Sequence, residues 1–473
     1  MSPSSNSNSL FAREWRALTI GSLLLIAQIA FESLAVTTAM PTVAKALDGL
    51  SLYAIAFGIT FATSMVGMVI SGQWSDAKGP TPALLSGIAW FVVGLLVAGF
   101  ATSMTVLIVG RAMQGFGSGQ IVVALYVIVG RAYPRELRTP MFAAFAGAWV
   151  IPSLVGPLLA GLTVQYIGWR WVFLAVAILV LPAGWLAWSA LRAHPLHDDE
   201  EARAVDQFER RARNRRRVLF VTGAAISTGL LHYAGHQQSG MAHALLALAF
   251  AGMFLFGTLL LPRGAFTLRP GLPAVIALRG LAAGAYIAAE VFVPLMLSMQ
   301  RGLSPAMAGL SLTAGGVLWA AGSWCQSRPT QPFSKAGLLR LGMFFTAAGI
   351  AVCMAVLIPA VPAEAAMLGW GMAGFGLGLV YPTLSVLTLD LSKREEQGEN
   401  SSALQLADSM FSTAALAIGG SLFAALVVKS QTLAYVASFA VALLLAAIGF
   451  AGAGRVRARR CANVSTGDRA LPR

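Results

Sequence analysis

The sequence predicts an all-α polytopic membrane protein made of two pseudo-symmetric six-helix bundles plus two extra helices, fourteen spans in all. Three observations carry that prediction. Only 11% of the 473 residues are charged while 57% are hydrophobic, a balance that belongs to lipid-embedded chains rather than to large soluble cores. The apolar residues fall in runs long enough to cross a bilayer, for which about 20 residues of helix suffice. A glycine-rich segment at residues 110–119 returns 259 positions later, as internal duplication requires.

The first six runs occupy residues 17–39, 51–74, 82–101, 104–129, 139–165 and 171–191. A polar segment, 192–217, follows; it is acidic at Asp198, Asp199, Glu200 and Glu201 and then basic through RRARNRRR. Eight more runs lie at 218–235, 241–261, 273–299, 305–326, 337–358, 363–389, 400–428 and 433–453. The expected organisation is a cytoplasmic N-terminus (1–16), a bundle (17–191), a charged cytoplasmic linker (192–217), an extra helix pair (218–261), a second bundle (273–453) and a basic cytoplasmic tail (454–473). The first run has full spanning length and no small-residue cleavage site, so it reads as a retained helix rather than a signal peptide.

The weakest run is 218–235, whose apolar part stops near Leu231, ahead of His232, Tyr233 and His236. Loop charge decides how it is read. With both termini inside and all runs crossing, 27 of the 33 Lys and Arg lie on the cytoplasmic side, four outside (Lys45, Arg170, Arg301, Lys429) and two in the membrane (Arg111, Arg279). Were this run alone to stay out, thirteen basic residues would move outside, against the positive-inside rule. The net charge of +14 is thus absorbed by cytoplasmic loops. Contact with lipid head groups is expected of the linker, and no nucleic-acid partner is expected.

Other chemistries find no pattern. The absence of a P-loop sequence argues against an ATP-driven pump. Cys325, Cys353 and Cys461 show no CxxC spacing, and the five histidines show no HExxH arrangement. His232 and His236, four apart, read as a solvated pair at a loop edge, so no metal site and no enzymatic activity are expected.

GRAMQGFGSG at 110–119 aligns with GWGMAGFGLG at 369–378, sharing Gly110, Met113, Gly115, Phe116, Gly117 and Gly119 with Gly369, Met372, Gly374, Phe375, Gly376 and Gly378. At nearly the same offset, 258, Glu32 meets Glu290. Arg111 sits inside the first copy, and an arginine in hydrocarbon costs several kcal/mol unless it faces a partner or a water-filled cavity. Both readings stand at this point: a structural salt bridge, or a cation beside a translocation path lined by bare glycine turns. At about 1.5 Å per residue, Glu32 and Arg111 each lie roughly 10 Å from the outer end of their helices, so an ion pair or proton-linked switch between them is open. Trp370 holds the aligned place of Arg111 in the second copy. Glu290 therefore has no arginine there and is the better candidate for an acid that gains and loses a proton. Arg279 and Asp408 share a depth of roughly 10 Å from the cytoplasmic side and are a possible ion pair, read as structural.

Several segments resemble the major facilitator superfamily, and within it the fourteen-helix drug:proton antiporters. FESLAVTTAMP at 31–41 is similar to that family's first-helix pattern, with Glu32 where aspartate is usual, then Ala39 and Pro41. GQWSDAKGP at 72–80 resembles the loop after the second helix at Gly72, Asp76 and Gly79, but has Pro80 and Thr81 where the family carries basic residues. Arg111, Gln114, Gly115 and Gly119 match the fourth-helix motif. Gly156, Pro157, Ala160 and Gly161 resemble the antiporter motif of the fifth helix, with Pro152 in place of a glycine, and GWRWVF at 168–173 is similar to the opening of the sixth.

The resemblance implies a major-facilitator-type fold around a central cavity, alternating access, and export of hydrophobic, amphipathic or cationic compounds in exchange for protons across the plasma membrane. It implies no cofactor beyond the proton gradient, and a monomer is expected. Glu32, Arg111, Gln114 and Glu290 would line the coupling site, and the glycines and prolines above would serve the conformational change. Dedicated metabolite or lipid transport, in either direction, and a non-transporting sensor on the same fold remain alternatives, because fold alone does not set function.

Overall fold

A computed structural model of the chain describes residues 9–193, 216, 218–227, 229–231, 240–328, 332–392 and 397–456. The described residues contain helices and no strand. In order they are α1 (Arg16–Ala46), α2 (Tyr53–Lys78), α3 (Pro80–Gly99), α4 (Met104–Ala132), α5 (Arg135–Gly147), α6 (Val150–Tyr166), α7 (Arg170–Ala193), α8 (Val218–Leu231), α9 (Gly240–Leu260), α10 (Leu272–Gln300), α11 (Pro305–Gln326), α12 (Lys335–Ala355), α13 (Ala365–Leu391), α14 (Gln397–Val427) and α15 (Gln431–Gly452). Twelve segments are long and apolar enough to cross a membrane, α5 and α6 together making the fifth.

The two remaining runs are the helices α8 and α9. Residues 232–239, between the two runs, lie outside the described residues, as do most of the 192–217 linker, half of the N-terminal segment and most of the C-terminal tail. α9 and the loop after it lie on α14: the methyl of Met410 faces Gly257, and Phe266 stacks on Phe411 with ring centroids 6.0 Å apart. Ser421 on α14 also donates to the Leu231 carbonyl at 3.4 Å.

Two helices depart from the sequence reading. α1 runs on through Pro41 to Ala46, past the expected end of the run at residue 39; Met40, Val43 and Ala44 are buried, and their packing offsets the one backbone hydrogen bond that the proline removes. The fifth run is not continuous. It breaks at Ala148 and Trp149, where Pro152 has no N–H to offer the Ala148 carbonyl.

The glycine repeat does the same work in both halves. A side chain at Gly115 or Gly119 would strike the Thr60 and Ser64 carbonyls of α2, and one at Gly374 or Gly378 the Gly315 and Trp319 carbonyls of α11. On the other face of the same helices, an added Cβ at Gly110 would stand 2.8 Å from the Gly94 oxygen of α3, and one at Gly369 2.8 Å from the Gly349 oxygen of α12. α4 and α13 are therefore each clamped between two neighbours at backbone contact, the close approach that small residues permit in a membrane. Between the halves, α2 packs on α14 and α6 on α11.

Candidate functional site

Glu32 on α1 and Arg111 on α4 form an ion pair in the interior, at 4% and 3% residual exposure. Two of the guanidinium nitrogens are engaged. Its Nη1 donates to Glu32 Oε1 and, at 2.6 Å, to Gln114 Oε1, while its Nε donates to the Ala56 carbonyl of α2 at 3.2 Å. Gln114 lies one turn on, so one face of α4 supplies both the cation and an orienting amide. The Gln114 Nε2 has no hydrogen-bond partner among the described residues. A buried cation matched by a carboxylate and two neutral acceptors carries no net charge into the low-dielectric interior.

Glu290 on α10 is buried to 8% exposure, and no side chain among the described residues hydrogen-bonds or salt-bridges to it. Trp370, fully buried, fills the place that the repeat gives to Arg111. Its indole lies 4.4 Å between ring centroids from Tyr286, one turn before Glu290, and Tyr286 in turn meets Trp319 at 5.5 Å. Beside the same acid the halves are joined, for the Tyr53 hydroxyl of α2 donates to the Val291 carbonyl at 2.9 Å.

Arg279 on α10 reaches Asp408 on α14 with Nε and Nη2, at 3.0 and 2.9 Å to Oδ2. A third helix joins them. Tyr381 of α13 donates to Asp408 Oδ1 at 2.9 Å, and the guanidinium lies 3.5 Å over its ring. Sequence reasoning missed Tyr381, because one tyrosine within an apolar helix carries no periodic signal. It also missed Tyr53 and the Ala56 carbonyl, which only the packing of α2 brings to the site.

The remaining motif residues divide. Asp76, mostly exposed, lies 3.8 Å from Arg131 at the end of α4. Gly79 turns the chain between α2 and α3 at φ +80°, a conformation that suits glycine. Gly72 faces open space. Pro157 and Gly161 of α6 lie against α11 across the two halves, where the Pro157 carbonyl abuts Gly309 and a Cβ at Gly161 would come 2.6 Å from the Pro305 oxygen; Gly156 faces Phe31 of α1.

Comparison with known proteins agrees with this architecture. Residues 20–410 match the Major Facilitator Superfamily. The chain belongs to the Major Facilitator Superfamily and is a multi-pass membrane transporter, not an enzyme. It is 24% identical over 383 residues to the multidrug efflux pump SdrM of Staphylococcus aureus, covering 78% of this chain and 80% of that protein. It is 32% identical to multidrug resistance protein 3 of Bacillus subtilis over 156 residues, which span 33% of this chain and only 30% of that relative. Among solved structures, a bacterial homologue of the human lysosomal transporter Spinster superposes with a TM-score of 0.65 at 12% identity, covering 93% of this chain and 97% of the other. That likeness speaks for the fold alone.

Proposed function

We propose that this transporter exports hydrophobic or amphipathic compounds across the plasma membrane in exchange for protons, by alternating access of the two halves, with Glu290 as the acid that exchanges the proton for cargo. One observation carries the reading: Glu290 is a buried carboxylate with no arginine, whereas its repeat mate Glu32 is held by Arg111 and Gln114. A carboxylate with a fixed cation has little reason to take a proton, and one without is neutral when protonated and free to meet a cation when not. The outward direction draws support from the efflux pump to which the chain is similar along most of its length. Inverted membrane vesicles with an imposed proton gradient and a fluorescent lipophilic dye test it: wild type should accumulate dye, and Glu290→Gln should not while remaining inserted and folded. Full proton-driven accumulation by Glu290→Gln would remove this residue from the coupling.

A further inference from the structure

The end of the second bundle that the charge rule sets inside the cell carries three arginines on one small frame. Arg455 lies in the short 3-10 turn Ala453–Val456 after α15, where its Nη1 donates to the Thr267 carbonyl at 3.2 Å and its own carbonyl accepts from the Gly271 N–H at 3.0 Å. That ties the turn to the loop entering α10. Arg340 of α12 abuts the same turn, for a Cβ added at Gly454 would stand 2.8 Å from its Nη2, and Arg269 of the loop folds its stem over Gly264. All three arginines are exposed, and among the described residues no carboxylate pairs with any of them. Like charges gathered on one frame repel unless an anion joins them.

Further into the membrane the same two helices turn apolar residues outward. On α12 Phe344 follows Arg340 by one turn, and on α15 Leu444, Ile448 and Ala451 lead down to Arg455 at spacings of four, three and four; all are exposed. The helices meet there, since a Cβ at Gly449 would touch the Met343 methyl. Each stripe is cationic at its inner end and apolar beyond, and the one on α15 runs on the order of 16 Å. A soluble anion would use only the arginines, whereas an acyl chain uses the apolar stripes as well. We infer that this face binds an anionic phospholipid of the cytoplasmic leaflet, its phosphate on Arg269, Arg340 and Arg455 and its chains along α12 and α15. Guanidinium suits phosphate because it offers parallel N–H donors. The loop they frame leads into α10, which carries both Arg279 and Glu290, so a bound lipid braces the entry of that helix.

Native mass spectrometry of the purified full-length protein tests this, with phosphatidylglycerol and phosphatidylcholine of one chain length offered in equal amounts. Phosphatidylglycerol should be retained in preference by at least about tenfold. Arg269→Gln, Arg340→Gln and Arg455→Gln should each weaken its binding by about fivefold, the matching lysine variants by less. Arg328→Gln, which removes an exposed arginine stacked on Trp324, should leave it unchanged. In lipid-free detergent the glutamine variants should keep the wild-type thermal midpoint, and added phosphatidylglycerol should raise it less than in wild type. Equal retention of the two lipids, or a loss in Arg328→Gln as large as in the three, would overturn the site. Inorganic phosphate that displaces the lipid and raises the midpoint as much would also overturn it, by showing that the frame holds a free anion.

Discussion

Trp370 stands in the second half where Arg111 stands in the first, and packs its indole against Tyr286 rather than reaching Glu290. One substitution tests what that exchange of residues does. Trp370→Arg would give Glu290 the same kind of partner that Glu32 has, and a paired carboxylate holds its charge. Proton-driven dye transport should be lost with the elution profile and thermal midpoint near those of wild type. Unchanged transport in a folded Trp370→Arg protein would show that an unpaired Glu290 is not needed.

Arg111 should be required for folding before it is required for transport. Arg111→Ala leaves Glu32 buried without a cation, a change that costs about 3–5 kcal/mol when a buried pair loses one partner. Arg111→Lys keeps the charge but cannot serve Glu32, Gln114 and the Ala56 carbonyl with one planar group. Thermal unfolding in detergent should rank wild type, then lysine, then alanine; an alanine variant as stable as wild type would show the pair to be dispensable.

The glycines make a paired prediction in which two opposing terms decide the sign. Alanine gains about 1 kcal/mol over glycine in a helix, so Gly72→Ala, facing open space, should be neutral or slightly stabilising. At Gly119 the new methyl meets the Ser64 carbonyl and at Gly378 that of Trp319. Overpacking costs about 1–3 kcal/mol, and because those obstacles are backbone it should exceed the helical gain. Gly119→Ala and Gly378→Ala should each lower the thermal midpoint, whereas a stable pair would mean that α4 and α13 can move apart freely.

Much of this was legible because lipid imposes simple rules. Run length and residue type give twelve helices long and apolar enough to cross a membrane, where the sequence reading counted fourteen spans, and depth arithmetic suffices to set Glu32 beside Arg111 and Arg279 beside Asp408. The repeat is readable because the backbone contact of α4 with α2 and α3 tolerates only small residues, and α13 imposes the same demand. What stayed hidden depends on tertiary packing. The passage of α1 through Pro41 is held by buried neighbours, and the break at Ala148 arises from a missing donor four residues on. Tyr381 enters the site only because three helices converge on Asp408. The docking of α9 on α14 left no mark in the periodicity, since α9 is apolar all round.

Arg279 and Asp408 should behave as a structural unit. Either single alanine leaves a mostly buried charge unpaired, while the double alanine removes both, so the double variant should be less destabilised than the sum of the singles by about 1–3 kcal/mol. It should also retain proton-driven transport. Loss of transport in a folded double variant would place this pair in the coupling rather than in the scaffold.

Proton release on cargo binding tests the role of Glu290 most directly. Purified protein in lightly buffered detergent, mixed with a lipophilic monocation and a pH indicator, should release about one proton per cation bound, as linkage requires when one acid serves both. Glu32→Gln, if folded, should release the same amount, and Glu290→Gln should release none. Release that persists in Glu290→Gln, or binding without release in wild type, would contradict the assignment of Glu290 as the exchanging acid.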